Sequence, residues 1–164
     1  MSIEDDVAFL EKVPTFAVLG RPALRILAIG AETRNIGSGE VLFRAGDPAD
    51  AGFVIQEGSF SLTADSAPGD QQTKVATRGA LLSEYALFTS TKRTTTAIAL
   101  APAVVLRIPR SLFLKMLEGF PEAAVQLRAY FAARLDRTSR ELANMRGAFV
   151  RKSDRGPQDS EPSS

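Results

Sequence analysis

The sequence predicts an α+β chain in which an antiparallel roll or barrel is flanked by short helices on its N-terminal side and a long helix on its C-terminal side. Two observations predict it. Between Thr33 and Ile108, short β-branched and aromatic runs recur at about 8 to 12 residue spacing, separated by glycine turns, as in antiparallel all-β architectures. On either side the apolar residues change to helical spacing, with Phe9, Leu10 and Val13 before the strands and Leu112, Phe113, Met116 and Leu117 after them.

The elements follow in order. Val7 to Phe16 and Ala23 to Ala31 read as two short helices, the second carrying Leu24, Leu27 and Ala28, with Pro14 and the turn Gly20-Arg21-Pro22 breaking them apart. Strand character begins at Thr33, and a turn bounded by Gly37 and Gly39 leads into a strand over Glu40 to Phe43. The turn Arg44-Ala45-Gly46-Asp47-Pro48 calls for the conformational freedom of glycine at Gly46. Phe53 to Gln56 is the next strand, Glu57-Gly58 a tight hairpin turn, and Ser59 to Ala64 the returning strand, with Phe60 and Leu62 alternating against Ser59, Ser61 and Thr63. Asp65 to Gln72 has the composition of a flexible loop, and Thr73 to Thr77 that of another short strand.

Strands at Thr94 to Leu100 and Val104 to Ile108 surround the turn Ala101-Pro102. Arg110 to Gly119 reads as a helix ended by Gly119 and Pro121, and Pro121 suits the first position of the next helix, where its missing N–H costs nothing. That helix runs to about Phe149. Phe131, Leu135, Thr138, Leu142, Met145 and Phe149 are separated by 4, 3, 4, 3 and 4 residues, a heptad seam of nearly three repeats. A second copy of the chain is its simplest partner, and packing on the chain's own sheet the alternative. The arginines of this helix form a solvated face with pairs such as Asp136 to Arg140, in preference to a nucleic-acid surface.

Composition bounds the chemistry. The chain has 164 residues, 45% of them hydrophobic and 24% charged, which suits one domain, and its net charge of +1 argues neither for nor against nucleic acid. It contains no cysteine and no histidine, so disulfides, thiolate chemistry, common zinc sites and histidine bases are excluded. No nucleophile-base constellation or Walker-type loop is present, and no enzyme activity or cofactor is expected. The acidic start lacks a signal-peptide pattern and no apolar run is long enough for a membrane helix, so a cytoplasmic location is expected.

The functional signal lies in residues 79–99. Glu84 opens a run compatible with one or two helical turns to Phe88, a polar loop follows, and Arg93 stands before a strand. N–H groups at a helix start suit a phosphate, an arginine fork can close over it, and a glutamate beside them can accept from a sugar hydroxyl. Ser83, Glu84, Tyr85, Arg93 and Thr94 are therefore candidate ligands of a small phosphosugar; a Glu84–Arg93 surface salt bridge is the alternative.

Glu84, Ala86, Leu87 and Arg93 resemble the phosphate-binding cassette of the cyclic-nucleotide-binding domain family, whose usual form is Gly-Glu-x-Ala-Leu, a short loop, then arginine and small residues. The segment from Gly39 to Asp50, with Phe53 to Gly58, is similar to the family's first half, and the resemblance spans Val13 to Leu142. It implies a jelly-roll-like β-roll, or double-stranded β-helix, with the glutamate on the ribose 2′-hydroxyl and the arginine on the cyclic phosphate. Ser83 stands where the family has glycine, with a hydroxyl suited to capping the helix start, and Thr95 stands where alanine is usual.

The run from Arg134 to Asn144 looks like the long helix of the family's catabolite-activator branch. The resemblance implies that Thr138 and Ser139 face the base, one from each subunit. The implied organisation is N-terminal helices over 1–32, a β-roll over 33–109, C-terminal helices with the dimer seam over 110–149, and a disordered tail over 150–164. The expected function is a standalone, non-enzymatic sensor that binds cAMP in preference to cGMP and passes a helix and dimer rearrangement to a downstream protein. The rivals are a β-roll dimer that serves as a scaffold without nucleotide, and a relative of Crp/Fnr-type regulators without its helix-turn-helix.

Overall fold

The computed structural model describes residues 2–64 and 73–135. The chain divides into two units, residues 1–124 and 125–164, and the first holds the roll.

Three helices open it: α1 Ile3–Leu10, α2 Pro14–Ala17 and α3 Arg21–Gly30. The first predicted helix is thus two. Ser2 and Asp5 form a reciprocal capping box that starts α1 earlier than its apolar spacing indicates. Pro14 then begins a new turn at the first helical position. α1 packs on α3 and α3 on α4, Arg110–Gly119, as predicted for the latter. Phe16 of α2 and Phe113 of α4 have ring centroids 6.1 Å apart, and both are fully buried.

The roll has two four-stranded antiparallel sheets. One has the order β1-β10-β4-β7, made of Glu32–Ile36, Ala103–Pro109, Ala51–Glu57 and Leu81–Leu82. The other has the order β2-β9-β5-β6, made of Val41–Phe43, Thr95–Ala99, Phe60–Ala64 and Thr73–Ala76. A two-stranded ladder pairs β3, Pro48–Ala49, with β8, Thr91–Lys92. The inner faces of both sheets share one core of Phe43, Phe53, Ile55, Phe60, Leu82, Ala97, Ala99 and Val105. β4 is buried from Ala51 through Gln56 because its other face is covered too, with Leu87 lying close over Gly52.

The strand assignments hold within a residue or two, but the expected hairpin at Glu57-Gly58 does not form. β4 pairs with β10 and β7, whereas β5 pairs with β9 and β6, so this turn carries the chain from one sheet to the other. Gly58 sits at φ 88°, and a Cβ there would lie 2.8 Å from the Pro102 carbonyl oxygen and from the Ala103 Cβ. Glycine is needed on both counts.

A last helix, α5, begins at residue 121 as predicted and is described to residue 135. The predicted loop 65–72, the seam beyond Leu135 and the tail 150–164 lie outside the described residues.

Candidate functional site

The cassette hangs between two small ladders. At its start Leu81 and Leu82 of β7 pair with Val54 and Phe53; at its end Thr91 and Lys92 of β8 pair with Ala49 and Pro48. Between them Glu84–Leu87 forms a single 3-10 turn, tighter than the α-helix expected over Glu84 to Phe88. Ala86 and Leu87 are buried and anchor it, while Tyr85 is 63% exposed. The Phe88 ring meets Phe113 edge-on at 5.3 Å. Behind the turn Arg110 donates to three carbonyls, Ala49 at 3.0 Å, Ala86 at 3.3 Å and Thr89 at 2.9 Å, and so ties the cassette to the start of α4.

Ser83 enters this turn with φ 62° and ψ 50°, in the left-handed region, the one residue other than glycine with positive φ among those described. Its side chain makes no capping hydrogen bond, so the expected N-cap is absent. The first bond within the turn runs from Ala86 N–H to the Ser83 carbonyl at 3.0 Å, which leaves the Glu84 and Tyr85 amides ahead of the turn's own ladder.

A cavity of about 380 Å³ opens on the inner face of the second sheet, lined by Phe43, Leu62, Ala64, Lys74, Leu81, Leu82, Ser83, Thr94 and Thr95. Strand register explains this lining. Leu62 stands opposite both Lys74 and Ala97, Ala64 opposite Thr95, and Phe43 opposite Ala97, so alternate residues of four neighbouring strands face one way. A smaller hollow of about 200 Å³ is lined by Ala49, Ser83, Glu84, Tyr85, Ala86, Thr91, Lys92 and Thr94. Ser83 and Thr94 border both.

The predicted residues are thus brought together in part. Ser83, Glu84, Tyr85 and Thr94 share the smaller hollow, and Ser83 and Thr94 share the larger cavity. Glu84 also accepts a hydrogen bond from the buried hydroxyl of Thr15 on α2. Arg93 lines neither space. It is only 7% exposed, and its guanidinium carbon lies 4.6 Å from the Phe43 ring centroid and 5.2 Å from that of Phe53. It donates to the Ala51 carbonyl at 2.8 Å and faces Asp50 at 3.9 Å.

Its main chain is fixed as well, since Arg93 N–H bonds the Asp47 carbonyl and Gly46 N–H bonds the Arg93 carbonyl, both at 2.8 Å. Burial holds the Arg93 pKa below the ordinary guanidinium value; Asp50 opposes that shift, Arg107 adds to it and Asp47 opposes it. Thr138 and Ser139 lie outside the described residues.

Phe43, Leu62 and Lys74 went unrecognised in the sequence as lining residues, although the alternation of Phe60 and Leu62 carried the signal for Leu62. Thr15 carried none. No cluster of metal-ligating side chains occurs among the described residues, and no helix among them is long and apolar enough to cross a membrane.

The cyclic nucleotide-binding domain pattern matches residues 33–120, which cover the strands of the roll from the second residue of β1 onward, the cassette and α4. The chain belongs to the cyclic nucleotide-binding domain family. Among solved structures, a cyclic nucleotide-binding-like protein from Brucella abortus is 37% identical with a TM-score of 0.62, over 70% of this chain and 98% of that one. The N-terminal domain of a transcriptional regulator from Streptomyces coelicolor is 29% identical with a TM-score of 0.75, over 82% of this chain and 94% of that one.

A cAMP-dependent protein kinase regulatory subunit from Dictyostelium discoideum is 31% identical over 109 residues, 64% of this chain and 33% of the subunit. The chain spans between 7% and 33% of the length of the leading curated relatives it matches. The β-roll and the flanking helices expected from the cassette resemblance are those of the family.

Proposed function

We propose that this cyclic nucleotide-binding domain takes cAMP in preference to cGMP and acts as a non-enzymatic sensor, cytoplasmic, whose helices and dimer rearrange and signal to a partner protein. The observation that carries the reading is the cavity of about 380 Å³ bordered by Ser83 and Thr94 at the cassette, a size within the usual range for small-molecule sites. In this reading the phosphate lies against their hydroxyls and the Glu84 and Tyr85 amides, and the ribose meets Glu84. Arg93 supplies a desolvated positive charge behind the Phe43 ring, and its fork reaches the phosphate when the guanidinium turns out from Ala51. Thr138 and Ser139 close over the base from the long helix, which favours adenine. Contacts made in the closed state alone would give the unequal affinity that a conformational shift requires.

One observation favours a second reading, a β-roll scaffold that binds no nucleotide: the Arg93 guanidinium is turned into the core, donating to the Ala51 carbonyl and stacked against Phe43 and Phe53. Titration calorimetry with cAMP and cGMP separates the two. Saturable heat with cAMP, weaker with cGMP and at least about tenfold weaker in Arg93→Met, supports the sensor. No heat with either nucleotide, from protein shown to be folded, supports the scaffold.

A further inference from the structure

We infer that Thr15 is a positioning residue for the ribose-recognising carboxylate of Glu84, so that the N-terminal helices set the sugar specificity of a site formed on the roll. The inference rests on the proposed nucleotide binding and deepens it. Thr15 lies 69 positions before Glu84, on a different element, yet its hydroxyl donates to Glu84 Oε2. That hydroxyl belongs to a residue only 4% exposed, so water offers it little alternative.

Its direction is fixed from both sides. Pro14 begins α2 with a locked φ, and Phe16 is fully buried against Phe113. A β-branched side chain between two such anchors has few rotamers. Glu84 differs, because a glutamate with free torsions loses rotamer entropy whenever a ligand fixes it. A carboxylate has about four lone-pair sites. The bond from Thr15 occupies one of them and restricts the side chain in advance, and a donor in the adjoining hollow that Glu84 lines can meet another. A sugar 2′-hydroxyl is such a donor. Preorganisation of this kind raises affinity for the ligand that uses the carboxylate and leaves indifferent one that does not.

The test compares cAMP with 2′-deoxy-cAMP on the full chain, as wild type, Thr15→Val and Thr15→Ser, each first shown to be folded by circular dichroism and thermal unfolding. In wild type the deoxy compound should bind about tenfold more weakly, as expected for a lost bond to a charged acceptor. Thr15→Val, which keeps the shape and removes the donor, should narrow the ratio to within about threefold, and Thr15→Ser should restore it. A merely structural role would weaken both ligands together and leave their ratio unchanged, and that result overturns the inference while nucleotide binding stands. Equal affinity of wild type for both compounds overturns it as well. If folded wild type binds neither, the proposed function fails and takes the inference with it.

Discussion

Ser83→Gly should make this protein more stable, against the usual direction of a change to glycine. At φ 62° and ψ 50° the serine holds a left-handed conformation that costs a residue with a Cβ about 1 to 2 kcal/mol. Nothing visible offsets that cost, since its hydroxyl makes no capping bond. Glycine removes the strain but adds unfolded-state freedom worth roughly 0.5 to 1 kcal/mol. The balance is a gain of about 0.5 to 1 kcal/mol, which at about 2 to 4 °C per kcal/mol for a chain of this size raises the melting temperature by about 1 to 4 °C. Urea unfolding followed by circular dichroism measures it, with an unchanged slope showing that stability has changed and the compactness of neither state has. A loss of more than about 0.5 kcal/mol would refute the reasoning, because it would require the hydroxyl to make a contact stronger than the strain.

Three further outcomes are expected. Arg93→Ala should cost about 2 to 4 kcal/mol in urea unfolding without any nucleotide present, since it removes a charge stacked against Phe43 and Phe53 and orphans the Ala51 carbonyl. Gly58→Ala should cost at least about 2 kcal/mol by the same assay, through positive φ and the contacts at 2.8 Å with Pro102 and Ala103. Phe113→Ala should cost about 3 to 5 kcal/mol and loosen the cassette as well, because Phe113 meets both Phe16 and Phe88; faster amide exchange over residues 84–88 would show it.

What the sequence made legible follows the range of the forces involved. α4 was readable to its ends because Leu112, Phe113, Met116 and Gly119 state a local period and a local stop. The start of α1 was also written locally, in Ser2 and Asp5, but was passed over for the apolar spacing further on. β3, β7 and β8 were invisible, since two-residue strands have no period and exist only through distant partners. The switch of sheets at Gly58 was hidden for a similar reason: a glycine turn between two apolar runs looks the same whether the strands pair with each other or with others.

In the candidate site, the types of residue at 83–94 were legible and their directions were not. Whether Arg93 faces a cavity or the core depends on Phe43, Phe53 and Ala51, which are at least 40 positions away in the chain.

The pairing of β7 with β4 and of β8 with β3 has a mechanical consequence. Residues 83–90 form a hoop with both feet pinned to neighbouring parts of one chain segment, since β3 and β4 are separated by Asp50 alone. Such a hoop cannot peel from one end like a frayed helix. Its crown is held as well, by Arg110 on the Ala86 and Thr89 carbonyls, so whatever pushes on Ser83, Glu84 or Tyr85 is resisted at both feet and at α4 together.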